Sequence, residues 1–284
     1  MLRKIYLIIV GGVKMIRKIR SIISVVLVLS MTIALPNVTL AQTYVSENKL
    51  DKFLTSVDVP EDLLNIWTYE QKLELYQRKD ENLSFDSYEK KEFSMNQGTN
   101  ELEEVVLTRS STIPESDLLL THSFMNAWVN GVKHKIVFAN YEWLKSLNNG
   151  RSKSSKGDKI GIAIPNGWEI ISNEYNCREY KSKGYPKVWN EVGNGGGRPY
   201  ELNYFGAVWS LTAGEGSIFA YLYKGYVSLE MVRVSTSAQN KVIGTYVHNY
   251  GNSTSWSIGW GPLSVSISGN KGFDKAAWDT SFTY

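Results

Sequence analysis

From Leu118 onward the apolar period changes to two in a series of short runs, and that period makes this part of the chain mainly β-sheet. "LLLTHSFMNAWVNGVKHKIVFANYEW" holds Asn130-Gly131 between two strand-like runs, the pair that favours the positive φ angles of a type I′ hairpin turn. "KIGIAI" ends at Pro165-Asn166-Gly167, after which Trp168 to Ser172 is expected to pair back. Further runs follow at even spacing, "LNYFGAVWSL", "SIFAYLYKG", "YVSLEMVRVS" and "KVIGTYVHNY", with Gly214, Gly216, Gly225 and Asn240 as punctuation. About nine or ten short strands with turn signals every 8–12 residues predict an antiparallel β-sandwich over 118–284. In "WSIGWGPLSVSISG" the face carrying Trp256 and Trp260 is expected in the core between two sheets, with the serine face in water.

Residues 42–79 follow the helical period instead. Leu50, Phe53 and Leu54 form one apolar stripe, and Asp58 with Pro60 marks the start of a second helix. Thr68-Tyr-Glu-Gln71 reads as a capping box for a third, which would bury Leu73 and Tyr76. Three such helices make a bundle too small to stand alone, so it is expected to lean on the larger part. Residues 80–117 are polar and read as a linker. The fold class is therefore α+β, a small N-terminal helical segment followed by a mainly antiparallel β-sandwich.

Residues 1–41 have the layout of a secretory signal peptide: Arg17, Lys18 and Arg20, an apolar run from Ile22 to Leu35, and Thr39-Leu40-Ala41 as a small-residue cleavage site. "GGVK" at 11–14 can be the translation of a ribosome-binding sequence before the Met15 codon, which leaves Met1 and Met15 as alternative starts. The expected location is secreted or extracellular, at or near the cell envelope. The leader also carries six bases and no acid, so the formal +3 of the whole chain becomes −3 from residue 42 onward. A nucleic-acid partner is excluded as an expectation on that ground. Charge is divided unevenly: 42–117 has 17 acids against 8 bases, whereas 118–284 has 11 against 17. Two such halves can attract each other.

Candidate chemistry is sparse. His122 and His134 lie on the two arms of the first hairpin and can approach each other, but no third ligand has metal-site spacing, so no metal and no cofactor are expected. No G-x-S-x-G elbow is present, and the glycine-rich "GNGGGRP" lacks the ending of a phosphate loop. Glu142, Glu169, Glu201 and Glu230 lie in or beside strands, which keeps a glycoside-acting hydrolase open as an alternative. Residues 173–201 read as a long loop in which aromatics alternate with bases. Tyr180, Tyr185, Trp189 and Arg198 are the candidate ligand-binding residues, suited to a cell-wall polymer, a carbohydrate or a protein. The leading function is a non-enzymatic binding or interaction module. A pore-forming toxin or bacteriocin-like membrane-active protein is the other alternative, and membrane contact is expected only there.

Tyr141, Trp143, Arg151, Asp158 and Ile160 form a pattern of an aromatic pair, an arginine, and an aspartate before an apolar strand. With "VPEDLLNIWTYEQKLELY" and "SWSIGWGPLSVSISGNKGFD", it resembles a group of uncharacterised exported proteins of Gram-positive bacteria. That resemblance implies export and a β module, and carries no activity.

Overall fold

The computed structural model describes residues 44–95, 102–104, 117–145, 157–183, 187–192, 197–213, 221–249, 255–259, 264–268 and 273–284. The leader and its two alternative starts lie outside these residues, as do Tyr185 and Trp260 and the side chain of Trp256. Three helices come first, α1 (Glu47–Ser56), α2 (Glu61–Ile66) and α3 (Tyr69–Gln77). Seven strands follow: β1 (Ser84–Met95), β2 (Leu102–Glu104), β3 (Leu118–Val129), β4 (Val132–Trp143), β5 (Lys159–Ala163), β6 (Trp168–Lys183) and β7 (Asn190–Glu191). The remainder are β8 (Glu201–Asn203), β9 (Gly206–Ser210), β10 (Tyr221–Arg233), β11 (Lys241–Asn249), β12 (Ser255–Gly259), β13 (Ser264–Ser268) and β14 (Phe273–Ser281).

Twelve of these strands build two antiparallel sheets, ordered β2-β1-β3-β4-β10-β6-β7 and β14-β11-β5-β9-β8, and β12 pairs with β13 alone. The fold is the expected helical segment followed by a mainly antiparallel β-sandwich. Asn130 (φ 52°) and Gly131 (φ 80°) make the left-handed pair of the first hairpin, and β3 and β4 pair from Leu118↔Trp143 to Val129↔Val132. Between the sheets lies a core of Leu118, Phe124, Trp143, Ile160, Trp209 and Tyr246 with their neighbours.

The larger sheet is covered on its other face as well. Leu54, Leu63, Trp67 and Leu75 of the helical segment pack on Met125, Ile136, Phe138 and Tyr226. This three-layer arrangement explains why the first ten residues of β3 are all buried, with Leu118, Leu120 and Phe124 facing one core and Met125 and Ala127 the other. Helices and sheets belong to one unit, Ser46–Tyr284. The β12–β13 hairpin pairs Trp256↔Ile267 and Ile258↔Val265 and lies against β9 and β5.

Several sequence expectations change. Residues 84–95, expected within a polar linker, form the 12-residue strand β1, because the outer side of β3 offers a full ladder from Phe85↔Met125 to Phe93↔Leu118. β5 and β6 do not pair with each other. The turn at Gly167 (φ 87°) carries the chain from the small sheet, where β5 lies between β11 and β9, to the large one, where β6 joins β10. Residues 173–183, expected in a loop, are the second part of β6. Gly225 does not end a strand but sits inside β10. A Cβ there would lie 2.4 Å from the Arg178 carbonyl oxygen and 2.8 Å from the Tyr141 ring, so glycine allows this close approach. Asp58 takes a left-handed turn (φ 68°), and Pro60 occupies the N-cap of α2. Thr68 caps α3 as expected, its Oγ1 accepting from the Gln71 N–H at 3.2 Å. That helix buries Gln71, Lys72 and Leu75 rather than Leu73 and Tyr76, since it lies between α1 and the sheet.

Candidate functional site: a groove between the helices and the large sheet

Polar side chains fasten α3 to the sheet. The amides of Gln71 and Asn140 bond each other twice, at 3.2 and 2.8 Å. Below them the Glu74 carboxylate accepts from Asn176 Nδ2 (2.9 Å), the Tyr226 hydroxyl (3.2 Å) and Ser228 Oγ (3.3 Å), while burial raises its pKa. At the end of the helix Arg78 donates to Glu230 at 2.6 Å, and His134 Nδ1 lies 2.5 Å from the other oxygen of the same carboxylate. Buried polar groups that all find partners hold an element in one position.

Beside this fixed contact an open groove of about 500 Å³ runs between the helical layer and the end of the sheet formed by β10, β6 and β7. Trp189 and Tyr180 line it from the sheet side, with Lys224 from β10. Glu47, Asp51, Glu70 and Lys72 line it from the helices, and Trp67 from the corner before α3. Lys72 lies 2.9 Å from Glu47 and 2.7 Å from Asp51. The Tyr180 hydroxyl donates to Glu70 at 2.5 Å, and burial followed by this bond pushes its pKa up. Lys224 stands 4.7 Å above the Trp189 ring, and burial pulls its pKa down. Lys187 lies 5.9 Å from the same ring and pairs with Glu142 at 3.0 Å.

Of the four predicted ligand-binding residues, the structure brings Tyr180 and Trp189 together in this groove. Arg198 is exposed outside it, and Tyr185 lies outside the described residues. The aromatic-basic stretch is divided because alternate residues of a strand face opposite sides. Arg178 and Tyr180 point to the helical side. Lys181 and Lys183 lie near Tyr221 (5.3 and 5.7 Å) on the side that faces the second sheet. Sequence reasoning missed the helical acids and Lys224. The acidic excess of the helical half was the only available signal: Glu70 of α3 accepts from the Tyr180 hydroxyl, whereas the ion pair of Arg78 with Glu230 runs against the net charges of the two halves.

The other candidate chemistry lies elsewhere. His122 and His134 do not approach each other, because they are opposite Ala139 and Ala127 in the hairpin ladder and face different sides of it. Glu142 and Glu230 are opposite Lys224 and Ile136, six positions apart on β10 and so roughly 20 Å. Glu201 is on the other sheet, and Glu169 is opposite Val232, two positions from Glu230 on β10, where Glu230 is already held by Arg78 and His134. Cys177 is buried, and burial raises its thiol pKa, which disfavours a thiolate. Among the described residues no group of three His, Cys, Asp or Glu side chains could hold a metal ion, and no helix is long and apolar enough to cross a membrane.

His122 supplies a test of the sandwich. Its ring stacks on Trp278 at 4.4 Å, Nδ1 is 3.0 Å from Thr280 Oγ1, and burial lowers its pKa to about 3. The unfolded chain takes up a proton near pH 6.5 that the folded state refuses. Stability from this residue is therefore complete above that pH and is lost as pH falls towards 3. Between pH 7 and 4 the wild type should lose about 3 kcal/mol more than His122→Gln in urea unfolding. Parallel losses would contradict the buried neutral ring.

No protein-family model matches the chain, and no curated protein matches it. Among solved structures the chain is similar to a pore forming protein, at 8% identity and a TM-score of 0.32, covering 67% of this chain and 96% of that one. It is also similar to ACE19, the collagen binding subdomain of the Enterococcus faecalis surface protein ACE (9% identity, TM-score 0.24, 50% of this chain and 86% of that one). A third is the collagen adhesin CNA from S. aureus (11% identity, TM-score 0.24, 70% and 81%). At these TM-scores nothing about their ligands transfers to this chain.

Proposed function

We propose that the protein is an exported, non-enzymatic binding module that holds a carbohydrate polymer of the cell envelope in the groove between its helices and the large sheet. The observation that carries this reading is the meeting of Trp189 and Tyr180 with Glu47, Asp51 and Glu70 around one open space of about 500 Å³. Ligand sites commonly occupy 300–1,000 Å³ and combine aromatic surface with a few placed polar groups. A sugar ring offers an apolar C–H face to an aromatic and a rim of hydroxyls to carboxylates. An open groove lets a polymer continue past both ends. Each carboxylate already holds a lysine or a phenol, an arrangement suited to accepting hydrogen bonds rather than to proton transfer.

Retention on purified Gram-positive cell walls tests this. Trp189 belongs to neither hydrophobic core, so Trp189→Ala should keep the wild-type circular dichroism. Losing an aromatic platform costs about 2 kcal/mol, and retention should fall roughly 30-fold. Retention equal to that of the wild type would refute the groove as the binding site.

A further inference from the structure

A small recess opens beside the groove. It has room for about one oxygen atom, roughly 10 Å³, and Thr68 and Lys224 line both spaces. Thr121 on β3 and Asn140 and Glu142 on β4 form its sheet side. Hydrogen-bonding capacity is unevenly used around these two spaces. Acceptors are engaged: Asn140 Oδ1 accepts from Gln71, Glu142 pairs with Lys187, Glu70 accepts from Tyr180, and Glu47 and Asp51 pair with Lys72. Donors are not. Among the described residues neither Thr121 Oγ1 nor Trp67 Nε1 has a hydrogen-bond partner; both residues are buried, Thr121 in the lining of the recess and Trp67 in that of the groove. The Lys224 ammonium, at the junction of the two spaces, faces the Trp189 ring.

A buried donor without a partner costs about 1–3 kcal/mol, and a ligand that supplies an acceptor recovers this. Carbonyl and carboxylate oxygens are stronger acceptors than the hydroxyl and ether oxygens that every sugar carries. The groove's charge separates carbonyl from carboxylate. Glu47, Asp51 and Glu70 outnumber Lys72 and Lys224, so a polyanion would meet net negative charge. Each like-charge pair at ~8 Å costs on the order of 2 kcal/mol at an effective dielectric constant of ~20. A carbonyl oxygen carries no such cost.

We infer that the groove selects N-acetylated sugars, with the acetamido oxygen entering the recess to meet Thr121 and Lys224 while the ring lies against Trp189. This rests on the carbohydrate reading above and names the sugar class within it. A site built to bond a group rejects the analogue that lacks it, because the buried donors are then left unpaired.

The test is calorimetric titration of the protein with four tetramers: N-acetylglucosamine, glucose, glucosamine and galacturonate. The acetylated tetramer should bind at least about tenfold more tightly than the glucose tetramer. Thr121→Val should bring the acetylated tetramer down to the affinity of the glucose one. Equal affinity of the wild type for those two overturns the inference and leaves sugar binding intact. Tightest binding of glucosamine overturns it in favour of the acidic rim, and tightest binding of galacturonate in favour of a carboxylate in the recess. If no tetramer binds and Trp189→Ala still clings to cell walls, the carbohydrate reading fails with it. Should Thr121→Val not fold, the order of the four tetramers on the wild type still decides, and Lys224→Met removes the second donor.

Discussion

Asp158→Ala is expected to remove about 3–5 kcal/mol of stability, on the order of what leaving two buried polar groups unpaired costs. Asp158 is fully buried. Its Oδ2 accepts from the Tyr246 hydroxyl at 2.6 Å, and both carboxylate oxygens face His248 Nδ1, at 2.9 and 3.1 Å. The Trp143 indole donates in turn to the Tyr246 oxygen at 2.9 Å. Truncation at Asp158 leaves a phenol and an imidazole without this acceptor, while the backbone bonds of Asp158 to Ala213 and Leu211 remain. Asp158→Asn, which keeps the shape and one carbonyl oxygen, should cost less. Urea unfolding measures both, and a loss below about 1 kcal/mol for the alanine variant would contradict the network. The cluster also gives a physical meaning to the aromatic-pair and aspartate pattern in the sequence: Trp143 and Asp158 meet through Tyr246 inside the sandwich, as structure rather than as a site.

A fragment of residues 118–284 should not fold as a soluble monomer. It would lose β1, which pairs with β3 along most of its length, and expose the face of Met125, Ile136, Phe138 and Tyr226. It would also leave the buried Glu230 without Arg78. A bare β3 edge together with a large apolar face predicts aggregation. Expression of the fragment, followed by gel filtration and a thermal melt, checks this. A monomer with a cooperative transition would show instead that the helical layer and β1 are dispensable additions.

That fragment starts at the boundary suggested by the sequence, and the reasons why the boundary fails are local. β1, "SFDSYEKKEFSM", has no clean alternation because its register shifts between Phe85 and Ser87, which moves its residues from one face to the other. β6 looks like a loop because its polar residues meet polar partners on both faces. Asn176 and Tyr180 bond Glu74 and Glu70 of α3, and Glu179 accepts from the backbone N–H and hydroxyl of Thr212. Where one rule decided the local structure, it was legible: the Asn130-Gly131 turn, the Thr68 cap, and the apolar runs of β3, β4 and β10. The site was half legible. Aromatic and basic density pointed to Tyr180 and Trp189. The acidic partner of Tyr180, Glu70, lies more than a hundred residues earlier, on a helix whose docking face carries Gln71, Glu74 and Arg78 beside a single buried leucine, Leu75.

The central claim is that ligand binds in the groove, and tryptophan indole N–H resonances test it most directly. Titrating the isotope-labelled protein with soluble cell-wall glycan should shift the indole signals of Trp189 and Trp67, which line the groove, and leave those of Trp143, Trp209 and Trp278 in the sandwich core unmoved. Shifts confined to the core tryptophans, or unmoved Trp189 and Trp67 signals at a glycan concentration that saturates binding, would contradict the account.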